Sequence, residues 1–165
     1  MLNSGIVLAG ANRSLRPDRA PAVSASASLS QASQTNTDDG YLTAKEAAQL
    51  QLRGTELVVL SACDTASGDQ QSGEGLYGLQ RALSVAGARS TLLSLWKVDD
   101  AATLEFMVRF YKRLKSGQGR SDSLAAVQAE FRSGLVKGPK GEDWTHPYYW
   151  AAWQLVGDWR PISGL

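Results

Sequence analysis

A chain of 165 residues, 43% hydrophobic and 20% charged, is long enough for one domain with a sizeable core and too short for two compact ones. Lysine and arginine number 17 against 16 aspartates and glutamates, and a net charge of +1 offers neither nucleic acid nor an anionic membrane a basic surface. The single cysteine excludes an internal disulfide and fits a reducing, cytoplasmic setting; with one histidine it is too little for a zinc site, and no apolar run approaches the ~20 residues of a membrane helix.

In chain order, Ile6 to Ala9 reads as a first strand closed by a Gly10-Ala11-Asn12 turn, and it lacks the basic leader of a signal peptide. A strand so near residue one suggests the C-terminal portion of a single domain, with further strands upstream or on another chain. Residues 12–40 are dominated by Ser, Ala, Gln, Thr and Pro and cannot bury enough apolar surface to offset the entropy of ordering, so a disordered surface insertion is expected. Asp39 and Gly40 form a turn. Thr43 and Glu46 have the spacing of a capping box, opening a helix through Ala47, Ala48 and Leu50 to Gly54. Residues 57–60 are apolar and β-branched, as in a strand buried on both faces. After a polar loop, Leu76, Leu79, Leu83 and Ala86 fall at helical spacing, with Gly87 as the C-terminal cap.

Residues 90–96 form the next strand, of mixed burial. Asp99 and Asp100 cap a helix whose apolar face is Leu104, Val108, Tyr111 and Leu114, with Lys112, Arg113 and Lys115 at its negative end. Asp122 caps a helix through Ala125, Val127 and Phe131. An aromatic strand over 147–156 closes the chain. Strands alternating with helices predict an α/β fold with a parallel or mixed sheet.

The strongest site signal is ELVVLSACDT, residues 56–65. A core strand running into small residues and a thiol puts Cys63 at its carboxyl end, where open α/β sheets bind ligands. The competing reading takes Cys63 as a small buried hydrophobe. Gly73, Gly75 and Gly78 formally match GxGxxG, but a long polar loop separates them from the strand, which favours a loop and the start of a helix over dinucleotide binding. His146, held extended by Pro147 at the start of the last strand, reads as a polar contact more readily than as a base reaching Cys63 across the sheet. The five tryptophans, without a basic surface, read as core and edge packing, not a base-stacking platform.

Four ordered blocks resemble the CHAT family, caspase-like domains often found in bacteria behind tetratricopeptide repeats: ELVVLSACDT at 56–65, GEGLYGL at 73–79, ARSTLLSLWKVDDAA at 88–102 and HPYYWAA at 146–152. The resemblance covers nearly everything except 12–40. It implies a caspase-like three-layer sandwich with a mostly parallel central sheet and helices on both faces, incomplete here at its N-terminus. It also implies cysteine endopeptidase activity with Cys63 as nucleophile. Family proteases pair the cysteine with a histidine that precedes a glycine, at the end of a strand upstream of the segment matching 4–12. The base is therefore expected from an upstream segment or a second chain. His146 matches the family's C-terminal His-Pro block and does not inherit the role. By similarity to caspases, the Cys63 amide and the glycine after that histidine hold the oxyanion.

The expected substrate-binding positions are Ser61 and Asp64 beside the nucleophile, and Ser94, Trp96 and Asp99 at the end of the next strand. Asp64 or Asp99 facing the pocket would favour a basic side chain before the cut, though each serves equally as a loop turn or a helix cap. No cofactor or metal is expected. The expected partners are the histidine-bearing segment, a protein substrate and a tetratricopeptide-repeat region. An inactive caspase-like interaction module is the alternative, and nucleotide binding at 73–78 a weaker third.

Overall fold

The computed structural model describes residues 5–7, 41–61 and 74–164. The 12–40 stretch, the Asp39-Gly40 turn, Cys63 and Asp64 lie outside the described residues. Strand β1 (Gly5–Val7) pairs antiparallel with β2 (Tyr41–Thr43). Three residues carry no readable periodicity, which is why the sequence gives no sign of β2. The capping box is formed: the Glu46 N–H donates to the Thr43 hydroxyl at 3.3 Å, and the Thr43 N–H to the Glu46 carboxylate at 2.8 Å.

Helix α1 is shorter than expected, ending at Ala47 (Ala44–Ala47) instead of Gly54. Farther on, the Leu52 N–H donates to the Ala86 carbonyl at 2.9 Å, so the chain leaves the helix to tie onto the end of α2 (Glu74–Ala86). Gly87 closes α2 with φ 109°. Its N–H donates to Ser84 and that of Ala88 to Leu83, both at 3.1 Å, a Schellman closure that needs the left-handed residue.

Between these helices lies β3 (Val58–Leu60), followed after α2 by β4 (Ser90–Ser94), α3 (Asp100–Lys115), α4 (Arg120–Arg132), a 3-10 turn (Pro147–Tyr149) and β5 (Trp153–Gly157). The sheet order is β3-β4-β5: β3 is parallel to β4, and β5 is antiparallel to it, from Ser90↔Gly157 to Ser94↔Trp153. Alternate residues of β3 face opposite ways. Leu57 and Val59 pack with α3, α4 and Trp153, while Val58 and Leu60 pack with α1 and α2, so helices cover both faces. The architecture is mixed α/β, as expected.

Burial of β3 and β4 reverses the expectation. All five residues of β4 are buried, whereas Val58, Val59 and Leu60 of β3 are only partly so. The reason is position: β4 has a strand on each side, and β3 has one neighbour among the described residues. The strand expected to reach Trp96 stops at Ser94. The one expected over 147–156 begins only at Trp153, because Pro147 suits the first position of a helical turn, where no N–H is required. At the far end of β5, a side chain on Gly157 would collide with the Arg89 carbonyl.

Two helix assignments need correction. In α3 the buried face is Ala102, Phe106, Phe110 and Leu114; Leu104, Val108 and Tyr111 point outward. Both stripes have helical spacing, and packing chose the one whose rings fill the core: Phe106 lies 5.5 Å from Phe131 and 5.7 Å from Trp153. Helix α4 is capped by Gly119, not Asp122, and has no side-chain cap. Its first amides instead reach the C-terminal segment, Arg120 N–H to the Arg160 carbonyl at 3.4 Å and Ser121 N–H to Trp159 at 3.3 Å.

The Arg120 side chain is fully buried. Its guanidinium donates to the Arg160 carbonyl at 2.8 Å, pairs with the Glu56 carboxylate just before β3, and lies 3.6 Å from Asp158 just after β5. Glu56 also holds Arg89 at 3.0 Å, and its carbonyl accepts from the Ser90 hydroxyl at 2.6 Å. Hydrogen bonds from Arg160 keep the Asp158 carboxyl well below the usual carboxylate range. A cation in the first turn opposes the helix dipole, and that misfit is the sequence sign of this cluster.

Two comparisons by urea denaturation follow from this packing. Phe106→Ala is expected to cost about 3–5 kcal/mol and Leu104→Ala no more than about 0.5 kcal/mol; equal costs would contradict the burial of α3. Arg120→Ala, which removes the buried guanidinium shared by Glu56, Asp158 and the Arg160 carbonyl while leaving each carboxylate its second arginine, is expected to cost about 2 kcal/mol, and a cost below about 0.5 kcal/mol would show that the guanidinium does not tie these elements together.

Candidate active site

Because β3 and β4 are parallel, their carboxyl ends open on the same edge of the sheet, and residues that follow them can converge there. The register ends with Leu60 opposite Leu93. Ser61 and Ser94 are therefore the next residue on each strand. Ser61 is exposed, while Ser94 is fully buried and pairs in the sheet with Trp153. Two residues beyond Ser61 the chain reaches Cys63.

Past β4 the chain is held tightly. The Leu95 N–H donates to the Ala152 carbonyl at 2.9 Å, and the Trp96 indole N–H to the Tyr148 carbonyl at 3.1 Å. Trp96 is fixed by that bond yet keeps 38% of its surface exposed, beside a Tyr148 that is 43% exposed. An aromatic face anchored through its N–H and open to solvent can pack against a bound chain. Asp99 turns instead to its own helix, where its carboxylate accepts the Ala102 N–H at 2.9 Å and caps α3. Of the two roles open to Asp99 in the sequence, the cap is the one with a described partner.

His146 is exposed, and its Nδ1 accepts the Tyr148 N–H at 3.2 Å, capping the 3-10 turn. That bond puts the proton of the neutral ring on Nε2. The expected polar contact is thus present, at the start of a turn instead of a strand. Gly75 and Gly78 lie within α2, well past the end of β3 at Leu60, and Gly73 lies outside the described residues, whereas a dinucleotide site needs its glycines at the tight turn joining strand to helix. Among the described residues, no three His, Cys, Asp or Glu side chains are grouped to hold a metal ion. Nor is any helix among them long and apolar enough to cross a membrane.

Comparison of the sequence with known families decides the assignment, since the CHAT domain model matches residues 1–158. This chain belongs to the CHAT domain family. Among curated relatives of this CHAT domain are tetratricopeptide repeat protein 28 of Mus musculus, 35% identical over 116 residues, and its Homo sapiens namesake, 34% identical over 116 residues. The match covers 70% of this chain and 4% of each relative. The CHAT chain therefore corresponds to a small part of those proteins.

The Tyr148 contact of Trp96 could not be read from spacing, because the partner is a backbone carbonyl 52 positions away. The Asp99 cap was readable, being local. Asp99→Ala is expected to lower stability by about 1 kcal/mol, with Asp99→Asn recovering most of it. A thermal melt in which both variants match the parent would mean that the carboxylate does not cap the helix.

Proposed function

We propose that this CHAT chain is the nucleophile-bearing part of a caspase-like cysteine endopeptidase, its residues 1–165 forming the C-terminal portion of a three-layer α/β domain. The observation that carries this reading is the parallel β3–β4 pair, whose carboxyl ends share one edge directly before Cys63, in a chain of this family. The partly buried apolar residues of β3 support a further strand on its open side, brought by an upstream segment or a second chain that also carries the catalytic histidine. His146, the only histidine of the sequence, is engaged in its cap and is not that base.

In this scheme the Cys63 thiolate attacks the scissile carbonyl carbon, and the oxyanion is held by the Cys63 amide and the amide of a glycine following the imported histidine. The carbon–nitrogen bond breaks, the amine leaves with the imidazolium proton, and water hydrolyses the thioester. Ser61 and Trp96 border the substrate, the fully buried Ser94 belongs to the sheet itself, and Asp64 selects a basic residue before the cut, Asp99 being committed to α3. The reading includes a tetratricopeptide-repeat regulatory region, after the names of the relatives, and a cytoplasmic setting, after the single cysteine. A second reading, an inactive interaction module, is favoured by the outward apolar stripe of α3.

A peptidyl probe with an arginine before a thiol-reactive group, added to the chain assembled with its histidine-bearing segment, separates the two. Covalent labelling that Cys63→Ala abolishes is the expected result, with an aspartate probe labelling at least about tenfold more slowly. No labelling of the assembled protein would leave the module. Preference for the aspartate probe would overturn the role of Asp64.

A further inference from the structure

Helix α3 carries an apolar stripe that the core does not use. Leu104, Val108 and Tyr111 are 67%, 53% and 44% exposed. At i, i+4 and i+7 they line up over two turns, about 10 Å, with the Tyr111 ring also meeting the edge of Phe110 at 5.8 Å. Apolar residues scattered singly on a surface are ordinary; three in register on one helix are a surface of recognition size for another helix.

Beside the stripe lies an open groove of about 410 Å³, with Val108, Arg109, Lys112 and Arg113 on its wall together with Glu130 from α4. Its charge is one-sided. Arg109 and Arg113 converge on the Glu130 carboxylate, and Arg109 also pairs with Glu105 at 2.7 Å. Burial would raise the Glu130 carboxyl, but the hydrogen bonds from Arg113 and Arg109 outweigh it and hold it below the usual range. Lys112 and Lys115 are exposed and have no ion pair among the described residues. Four cations thus stand against two carboxylates along this border.

We propose that Leu104, Val108 and Tyr111, with their cationic border, form a docking surface for an acidic amphipathic helix of a partner polypeptide. Its apolar side chains mesh with the stripe, and its carboxylates meet Lys112 and Lys115, setting orientation and rejecting basic helices. Other occupants fit less well. The 12–40 segment has three arginines, Arg13, Arg16 and Arg19, against three aspartates, Asp18, Asp38 and Asp39, and no amphipathic period. A second copy laid parallel on the stripe would set lysine against lysine, and a dimer of either sense is told apart by sedimentation. The inference stands whether or not Cys63 is catalytic.

The test is fluorescence anisotropy of the full chain titrated into a labelled synthetic helical peptide with leucines at i, i+4 and i+7 and glutamates on its flanks, alongside the same peptide with lysines. The glutamate peptide is expected to bind at least about tenfold more tightly than the lysine peptide. Leu104→Ser with Val108→Ser should weaken it about tenfold or more, and Lys112→Glu with Lys115→Glu should reverse the preference. All four positions are exposed, so circular dichroism and the thermal midpoint should match the parent; if the serine pair unfolds, the lysine pair decides. Equal binding of both peptides, or unchanged binding by a folded variant pair, would overturn the proposal. So would a concentration-dependent dimer in sedimentation that the serine pair abolishes, which would assign the stripe to a second copy.

Discussion

Strand β4 is hydrogen-bonded on both sides and covered on both faces, and all five of its residues are buried. Backbone amides and carbonyls so placed have no water to turn to, so the flanking strands are obligatory. Their directions decide what the sheet can do. Parallel β3 brings its carboxyl end beside that of β4, while antiparallel β5 returns the chain to the opposite end.

The two ends of this sheet are built differently. At one, buried Arg120 gathers Glu56, Asp158 and the Arg160 carbonyl, fastening the start of β3, the start of α4 and the exit of β5. At the other, Ser61 and Trp96 are open to solvent on segments leaving the sheet. A scaffold fastened at one end and open at the other is the usual way for α/β folds to present chemistry on loops without loosening the core.

Helix α3 joins the two themes. Its inner face supplies Phe106 and Phe110 to the aromatic core, and its capped N-terminus follows the end of β4 directly. Its outer face keeps apolar residues at a spacing that suits another helix. One element thereby carries the aromatic core on one face and an exposed apolar stripe on the other.

Local chemistry was legible in the sequence. Thr43 with Glu46, Asp99 as a cap and Gly87 as a C-terminal closure each depend on residues three to five positions apart, and each formed as read. The α/β alternation and the strand leading towards Cys63 were legible for the same reason, because periodicity and turn residues act over short distances. What required tertiary structure was every choice between locally equivalent options. Leu104, Val108 and Tyr111 have as good a helical period as Ala102, Phe106 and Phe110, and only the space beside Phe131 and Trp153 decides which stripe is buried. Likewise α1 stops early because Leu52 finds Ala86, and α4 is capped by carbonyls of a segment some 40 residues later. Residue order along the chain was enough to mark which short segments could be helix, strand or cap; the fold alone decided which faces met, because packing and long-range hydrogen bonds depend on partners that no local pattern specifies.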